Sequence, residues 1–492
     1  MIVLARNATW SGLFAAVRAA TGLLVALMAV KLLGGQRYGQ LATLLSLFVF
    51  YLSLNSSVFT VLVTRLTGAP AADHANRNQD AISAATILAA GSIIALGVLT
   101  ILLSNQAPDI AFLATHDDGS AIEIRRTILA ICVLTSFQIM SALHSAIIEG
   151  AGRLDLAMKW QLFGPVVVTT TLLSLLTMHV PVGLLEYAIL LDVGALIDLC
   201  LLVLISRKLA SSPLSLRLSP RKWVQMWDLL KSGATLQAAS LMTLFLEPLN
   251  KFLLSHYAGP LAVTAYDLAM KIVWGIQSLF AAAMRVFLHM SGEHGHVVGQ
   301  AFSRALTLVL VPVLAAHVGA AIFLTWIVHE WIVTVDARQV MIFFGIATIS
   351  NLGMIYVTPP YISLIGRGDL RFILRSQTIV AVANVVVSIV LIPQFGLLGA
   401  AIGLLCATAY NVVAIYLRHE RIVGESGGLI SIVRGRAGRY AITALLFASA
   451  IVIGAEPDVS YLAEAAIVLA IIVILSGEPL VRTLWERILR SK

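Results

Sequence analysis

Two stretches of this chain, residues 85–103 and 305–328, contain no Asp, Glu, Lys or Arg. Each is long enough, as a helix, to cross the hydrocarbon core of a bilayer, which takes about 20 apolar residues. In lipid no water satisfies the backbone, so each span must pair its own N–H and C=O groups within the helix. Composition generalises the point. Hydrophobic residues fill 59% of 492 positions, charged residues only 12%, and mean hydropathy is +0.93. A soluble domain is nearer 45–50% apolar and 25% charged.

Fourteen spans are expected, at about 10–33, 40–64, 81–104, 126–148, 157–178, 184–205, 233–255, 262–288, 304–327, 338–364, 374–393, 397–417, 439–455 and 461–476. Arg6 precedes the first run, which contains Arg18 and no small-residue cleavage site. That run therefore reads as a span and not as a removed signal peptide. Cys132, Cys200 and Cys406 all lie in apolar segments, far apart, and read as small buried hydrophobes.

The net charge of +8 is distributed by side. About 24 of the Lys and Arg residues sit in or beside alternate connections and the two ends, and about four in the opposite connections. The basic stretch 207–231 holds Arg207, Lys208, Arg217, Arg221, Lys222 and Lys231; the stretch 418–439 holds five arginines. The opposite connections are short and mostly neutral or acidic, as at 108–123 with Asp109, Asp117, Asp118 and Glu123. This is the positive-inside pattern, which predicts cytoplasmic termini and an inner-membrane location and argues against a nucleic-acid partner.

Short motifs recur. Gly150-Ala-Gly-Arg-Leu-Asp-Leu leads through a span to Pro181-Val-Gly-Leu-Leu, and Gly366-Arg-Gly-Asp-Leu leads through one to Pro393-Gln-Phe-Gly-Leu-Leu. Lys31-Leu-Leu-Gly-Gly-Gln-Arg-Tyr-Gly closes span 1, and Lys251 through Ala258-Gly-Pro and Tyr266 closes span 7. Both offsets are roughly 210–230 residues, as two six-span halves require. The expected architecture is an all-α polytopic membrane protein of two pseudo-symmetric six-helix lobes plus two extra C-terminal helices. The division is 1–206, a basic cytoplasmic linker at 207–231, 232–418, and a final 419–492 with a loop, helices 13 and 14 and a basic tail. Pro165, Pro248, Pro312 and the pair Pro359-Pro360 lie within spans and predict kinks. Gly399 and Gly403 form a G-x-x-x-G close-packing site.

Ionisable groups inside spans are costly and turn toward a cavity or a partner. In span 8, Asp267, Lys271, Trp274, Ser278 and Arg285 fall within roughly 60° of one another. An i,i+4 pair of Asp267 and Lys271 explains two of these charges, but a cavity-lining stripe explains them all. Span 7 offers Ser240, Thr243, Glu247 and Lys251, of which the last two again form an i,i+4 pair. Span 1 offers Asn7, Ser11, Arg18 and Thr21. Arg18 has no acidic neighbour within a helical turn, so it either receives a phosphate group or pairs with Asp192, Asp198 or Glu247 from another helix. Asp192 and Asp198 differ by about 240° around span 6 and do not form one site. His289, His294 and His296 fall in a glycine-bearing loop without cysteine, which does not make a metal site. The chain has no G-x-x-x-x-G-K-[ST], G-x-S-x-G or H-E-x-x-H, and no cofactor is expected.

The opening Arg6-Asn7, the segment Lys31-Leu-Leu-Gly-Gly-Gln-Arg-Tyr-Gly, and Glu247-Pro-Leu-Asn-Lys-Phe-Leu-Leu through Tyr266-Asp-Leu-Ala-Met-Lys follow in a telling order. Gly366-Arg-Gly-Asp-Leu and Ile392-Pro-Gln-Phe-Gly-Leu-Leu-Gly-Ala-Ala-Ile-Gly complete it. Together these resemble bacterial polysaccharide (O-antigen and exopolysaccharide) flippases, of the multidrug/oligosaccharidyl-lipid/polysaccharide exporter superfamily. The chain departs from that pattern at Leu54-Asn-Ser-Ser, at His289-Met-Ser and at Glu247, where the family tends to Asp-x-Gly, Pro and Asp. The resemblance implies a two-lobed bundle around a cavity opening alternately to each side. It implies a polyprenyl-diphosphate-linked oligosaccharide as substrate, membrane lipid around it, and polysaccharide polymerase and chain-length proteins as partners. The expected substrate-binding residues are Arg18, Glu247, Lys251, Asp267, Lys271, Trp274 and Arg285. The alternatives are a peptidoglycan-precursor flippase or a cation-coupled multidrug exporter of the same superfamily, or a membrane polysaccharide polymerase or ligase. The last generally needs a large external loop, and the longest external connection here is about 20 residues.

Overall fold

The computed structural model describes residues 2–67, 74–106, 118–209, 220–291, part of 316–327, 337–366 and 369–423. Among these residues the chain is entirely helical apart from its turns, and it contains nine segments long and apolar enough to cross a membrane. It is an all-α polytopic membrane protein. Spans 13 and 14, Pro312 and most of span 9 lie outside the described residues.

The first helix, α1 (Ile2–Leu33), ends at Gly34, whose φ of 80° turns the chain directly into α2 (Gly35–Thr67). Then follow α3 (His74–Gln106), α4 (Asp118–Gly150), α5 (Leu154–Trp160), α6 (Phe163–Thr177) and α7 (Leu184–Leu209). The later helices are α8 (Pro220–Leu244), α9 (Pro248–Tyr257), α10 (Pro260–Ser291), α11 (Ala337–Gly366), α12 (Leu370–Phe395) and α13 (Leu397–Val423). Left-handed linkers recur: Gly34 and Gly259 at φ 80° and 84°, and His179 and Gly396 at φ 53° and 54°. Both pairs are about 220 residues apart, the spacing of the sequence motifs.

Two expected spans are broken. Span 5 divides at Gln161 and Leu162 into α5 and α6, two residues before the first turn of α6 takes up Pro165. Span 7 divides at residues 245–247 into α8 and α9 because Pro248 cannot donate to the carbonyl four residues back. Asn384 of α12, fully buried, fills that gap: its Nδ2 donates to the Phe245 carbonyl at 2.9 Å and the Leu246 carbonyl at 3.4 Å. Unpaired carbonyls in lipid cost several kcal/mol each, so such a break persists only where a partner meets it.

Packing follows small residues. At the crossing of α6 and α7, a Cβ on Gly164 would stand 2.3 Å from the Gly194 carbonyl oxygen, closer than any real side chain allows. The G-x-x-x-G of α13 serves likewise, with Gly399 against the Leu391 backbone and Gly403 against Ser388 of α12. Helix α1 lies along α10 and α6; α2 lies along α4, α8 and α10; α10 also packs on α11. The continuous apolar core includes Leu41, Leu44, Ile131, Leu143, Tyr266, Phe343 and Phe344. Large apolar side chains outside it, such as Ile94, Val98 and Ile101 of α3 and Val386 and Ile389 of α12, are exposed as a lipid-facing surface requires. The Gly366-Arg-Gly-Asp motif is structural in use: Asp369 precedes α12 and its Oδ2 accepts from Arg418 Nε of α13 at 2.8 Å.

Among the described glycines the closest approach joins α2 to α10, where a Cβ on Gly39 would lie 1.9 Å from the Pro260 carbonyl oxygen. Gly39→Ala therefore forces the two helices apart and is expected to destabilise by about 1–3 kcal/mol. Gly97→Ala, which meets open space within 4 Å, is the matched control and is expected to be neutral. Thermal unfolding of both variants in detergent checks the difference.

Candidate functional site

Two of the polar stripes expected from sequence come together in one network. Lys251 Nζ of α9, 8% exposed, lies 2.7 Å from Glu247 Oε1 and 2.6 Å from Asp267 Oδ1. Asp267, 2% exposed, also accepts from Lys271 Nζ one helical turn on. The hydroxyl of Tyr38, in the first turn of α2, donates to Asp267 Oδ2, and Lys271 Nζ lies 3.0 Å from that hydroxyl. The two i,i+4 pairs foreseen in the sequence both form, but Asp267 welds them into one cluster and Tyr38 anchors it to α2. Its charges, two carboxylates and two ammonium groups, sum to zero. A buried carboxylate with two cations beside it offsets a desolvation cost that a lone charge could not survive.

Lys271 is the member that reaches out, at 38% side-chain exposure. With Trp274 and Ser278 it lines a cavity of about 500 Å³ whose other wall is α1, at Phe14, Arg18 and Gly22. The stripe of span 8 thus faces a cavity over Lys271, Trp274 and Ser278, while Asp267 lies behind it in the network. The side chains of Asn7, Ser11, Ser240, Thr243, Arg285 and His289, as well as His294 and His296, lie outside the described residues.

Arg18 is exposed, and its Nη1 donates to Gln161 Oε1 at 3.3 Å. Gln161 sits at the break between α5 and α6, so the interruption of span 5 delivers the amide to the arginine. No carboxylate among the described residues lies within ion-pair distance of Arg18. Asp192, foreseen as a possible partner, keeps its Oδ1 enclosed without a hydrogen bond. Asp198 and Glu149 instead line a second, larger cavity with Arg18.

That larger cavity, about 940 Å³, lies among α1, α2, α4, α6 and α7 and shares Arg18, Gly22, Glu149 and Gln161 with the smaller one. Its polar wall is a face of α4: Gln138, Ser141, Ser145 and Glu149. The spacing of 3, 4 and 4 residues puts them on one side of the helix. Asp198 of α7 is fixed there because its Oδ1 accepts the Gly164 N–H, at the start of α6, at 2.7 Å. The sequence reading missed Tyr38 and the α4 face. The 3-4-4 spacing was visible in the sequence, though three of its four members carry no charge.

No protein-family model matches the chain, and no curated protein matches it in sequence. Among solved structures it is similar to the lipid II flippase MurJ in an inward closed conformation. The TM-score is 0.66 at 14% identity, over 97% of this chain and 98% of that one. It is also similar to an inward-facing multidrug resistance MATE family transporter of the MOP superfamily, with TM-score 0.57 and 14% identity over 82% of this chain and 94% of that one. An outward-facing MATE structure gives 0.56 and 12% identity over 86% and 95%. The fold is the one these MOP-superfamily transporters share.

The network makes a testable demand. Asp267→Asn leaves two ammonium groups facing one carboxylate and is expected to destabilise by about 3 kcal/mol or more. Adding Lys271→Met restores neutrality and is expected to recover part of that loss. Unfolding of the single and double variants, compared as a cycle, reads the coupling.

Proposed function

We propose that this protein is a transporter that flips a polyprenyl-diphosphate-linked oligosaccharide across the inner membrane by alternating access, in exopolysaccharide, capsule or O-antigen assembly. The observation that carries the reading is the pair of contiguous cavities meeting at Arg18. Arg18 and Lys271 face the smaller one from α1 and α10, and the α4 face lines the larger. A guanidinium with no carboxylate at ion-pair distance among the described residues, held by a neutral amide, suits a diphosphate oxygen pair. The polar cavity takes the sugars, and the tail stays in lipid. A fold neighbour matched over 97% of the chain is named as a flippase of lipid II, and MATE transporters of this fold are named in both inward-facing and outward-facing states. Those names support a lipid-linked substrate and alternating access.

On this reading residues 1–206 and 232–418 form two six-helix lobes, joined by the basic linker, with both termini cytoplasmic. The substrate-binding set is Arg18, Lys271, Trp274 and Arg285 in contact with substrate, with Glu247, Lys251 and Asp267 holding Lys271 in place. Polymerase and chain-length proteins act beside it. The chain carries no G-x-x-x-x-G-K-[ST] motif, and on this reading the energy comes from an ion gradient, the membrane potential or downstream consumption of the product.

A second reading within the superfamily has its own observation. Asp198 and Glu149 on the larger cavity suit a cation-coupled exporter, and a peptidoglycan precursor presents the same diphosphate to Arg18. A deletion strain separates them. Lipid-linked polysaccharide repeat units are expected to accumulate on the cytoplasmic leaflet; accumulation of peptidoglycan precursor, or of neither, favours the second reading. Arg18→Ala and Arg285→Ala, inserted and folded, are each expected to lower translocation about tenfold or more. Normal polysaccharide export in both would sink the anion site.

A further inference from the structure

We propose that the face of α4 bearing Gln138, Ser141 and Ser145 is the subsite for the first sugar residues of the substrate, and that those sugars carry no carboxylate. The inference rests on the reading of the substrate as a polyprenyl-diphosphate-linked saccharide, and it adds where the saccharide sits and of what class it is.

Gln138 lies deep within α4, far from either end of the helix, and is exposed. Its amide has no hydrogen-bond partner among the described residues. An amide at that depth would cost several kcal/mol against lipid tails, and it turns instead to the cavity it lines. Ser141, one turn on, has an enclosed Oγ that also lacks a partner. Ser145, buried in the same wall, donates to Glu149 Oε1 at 3.1 Å. The wall therefore carries an amide with two donors and an acceptor, backed along the same helix face by two hydroxyls.

A sugar ring presents the complement: hydroxyls that both donate and accept, on a ring with apolar C–H faces. The rest of the lining supplies the apolar part, from Leu52, Phe59, Leu134 and Val168. The volume, about 940 Å³, lies at the upper end of cavities that enclose drug-sized ligands, enough for roughly two or three linked rings. Position then fixes order. Arg18 belongs to both cavities, so a diphosphate on Arg18 and Lys271 sends the sugar bonded to it into the α4 cavity. Arg18 is also the one cation among the described lining residues of that cavity, and the diphosphate occupies it. A sugar carboxylate would find no cation there and would meet Asp198.

The test uses the purified full-length protein in lipid nanodiscs and three soluble probes. These are farnesyl diphosphate, the same lipid diphosphate bearing one N-acetylhexosamine, and the same bearing one hexuronic acid. The N-acetylhexosamine is expected to tighten binding about tenfold over farnesyl diphosphate, and the hexuronic acid is expected to give no gain. In Gln138→Leu the tenfold ratio is expected to collapse to about one. Ser141→Ala, which removes only the hydroxyl, is expected to reduce it partway, and serves if the first variant does not fold. A ratio retained in both variants, a ratio of one in the parent protein, or an equal gain from the hexuronic acid overturns the proposal while leaving the diphosphate reading standing. No binding of farnesyl diphosphate itself overturns that reading, and the subsite with it.

Discussion

Asp267 sits nearly out of contact with solvent, between two lysine ammonium groups and a tyrosine hydroxyl. Much of the site depends on that arrangement. Removing a carboxylate and two ammonium groups from water is expensive, and only close, mutually satisfying geometry offsets the cost. The requirement fixes three helices at once: α9 through Lys251, α10 through Asp267 and α2 through Tyr38. With Gly39 pressed on Pro260 and the Thr264 hydroxyl donating to the Gly35 carbonyl at 2.6 Å, α2 and α10 have one register. Lys271 is then held at the rim of the smaller cavity, with Trp274 and Ser278 following it along the helix face.

The fold was legible because hydrophobic length is a strong and local signal. Runs such as 85–103 become helices, and the G-x-x-x-G of α13 packs as its spacing implies. Pro248 announces the break in span 7. The break in span 5 is less visible, since Pro165 is compatible with the first turn of a helix and the chain parts before it, at Gln161. The sequence also shows each i,i+4 pair, because both partners lie on one helix. It does not show that Lys251 reaches Asp267 across 16 residues, or that Tyr38 reaches it across 229, because such contacts exist only after the helices pack. The face of α4 escaped for another reason. A search for ionisable groups passes over Gln138, Ser141 and Ser145, whose importance comes from depth and not from charge.

Arg18 shows what broken helices contribute. A continuous span 5 would keep the Gln161 side chain within regular helix geometry and bury the Gly164 N–H in its own hydrogen-bond ladder. Interruption frees both: Gln161 meets the arginine, and Gly164 holds Asp198. Two small residues, Gly164 and Gly194, let α6 and α7 approach closely enough for the second of these. Part of the polar lining, at Gln161 and Asp198, is thus built where span 5 is interrupted, with neighbouring side chains taking up the groups that the interruption exposes.

The neutrality of the Asp267 network has an electrical consequence. Moving one elementary charge through the field of an energised membrane is worth about 2.3 kcal/mol per 100 mV. Glu247, Lys251, Asp267 and Lys271 sum to zero, so a displacement of the joint between α2 and α10 as a unit does no net work against that field. Any voltage dependence of a conformational cycle in this protein then belongs to charges outside the joint, Arg18 among them.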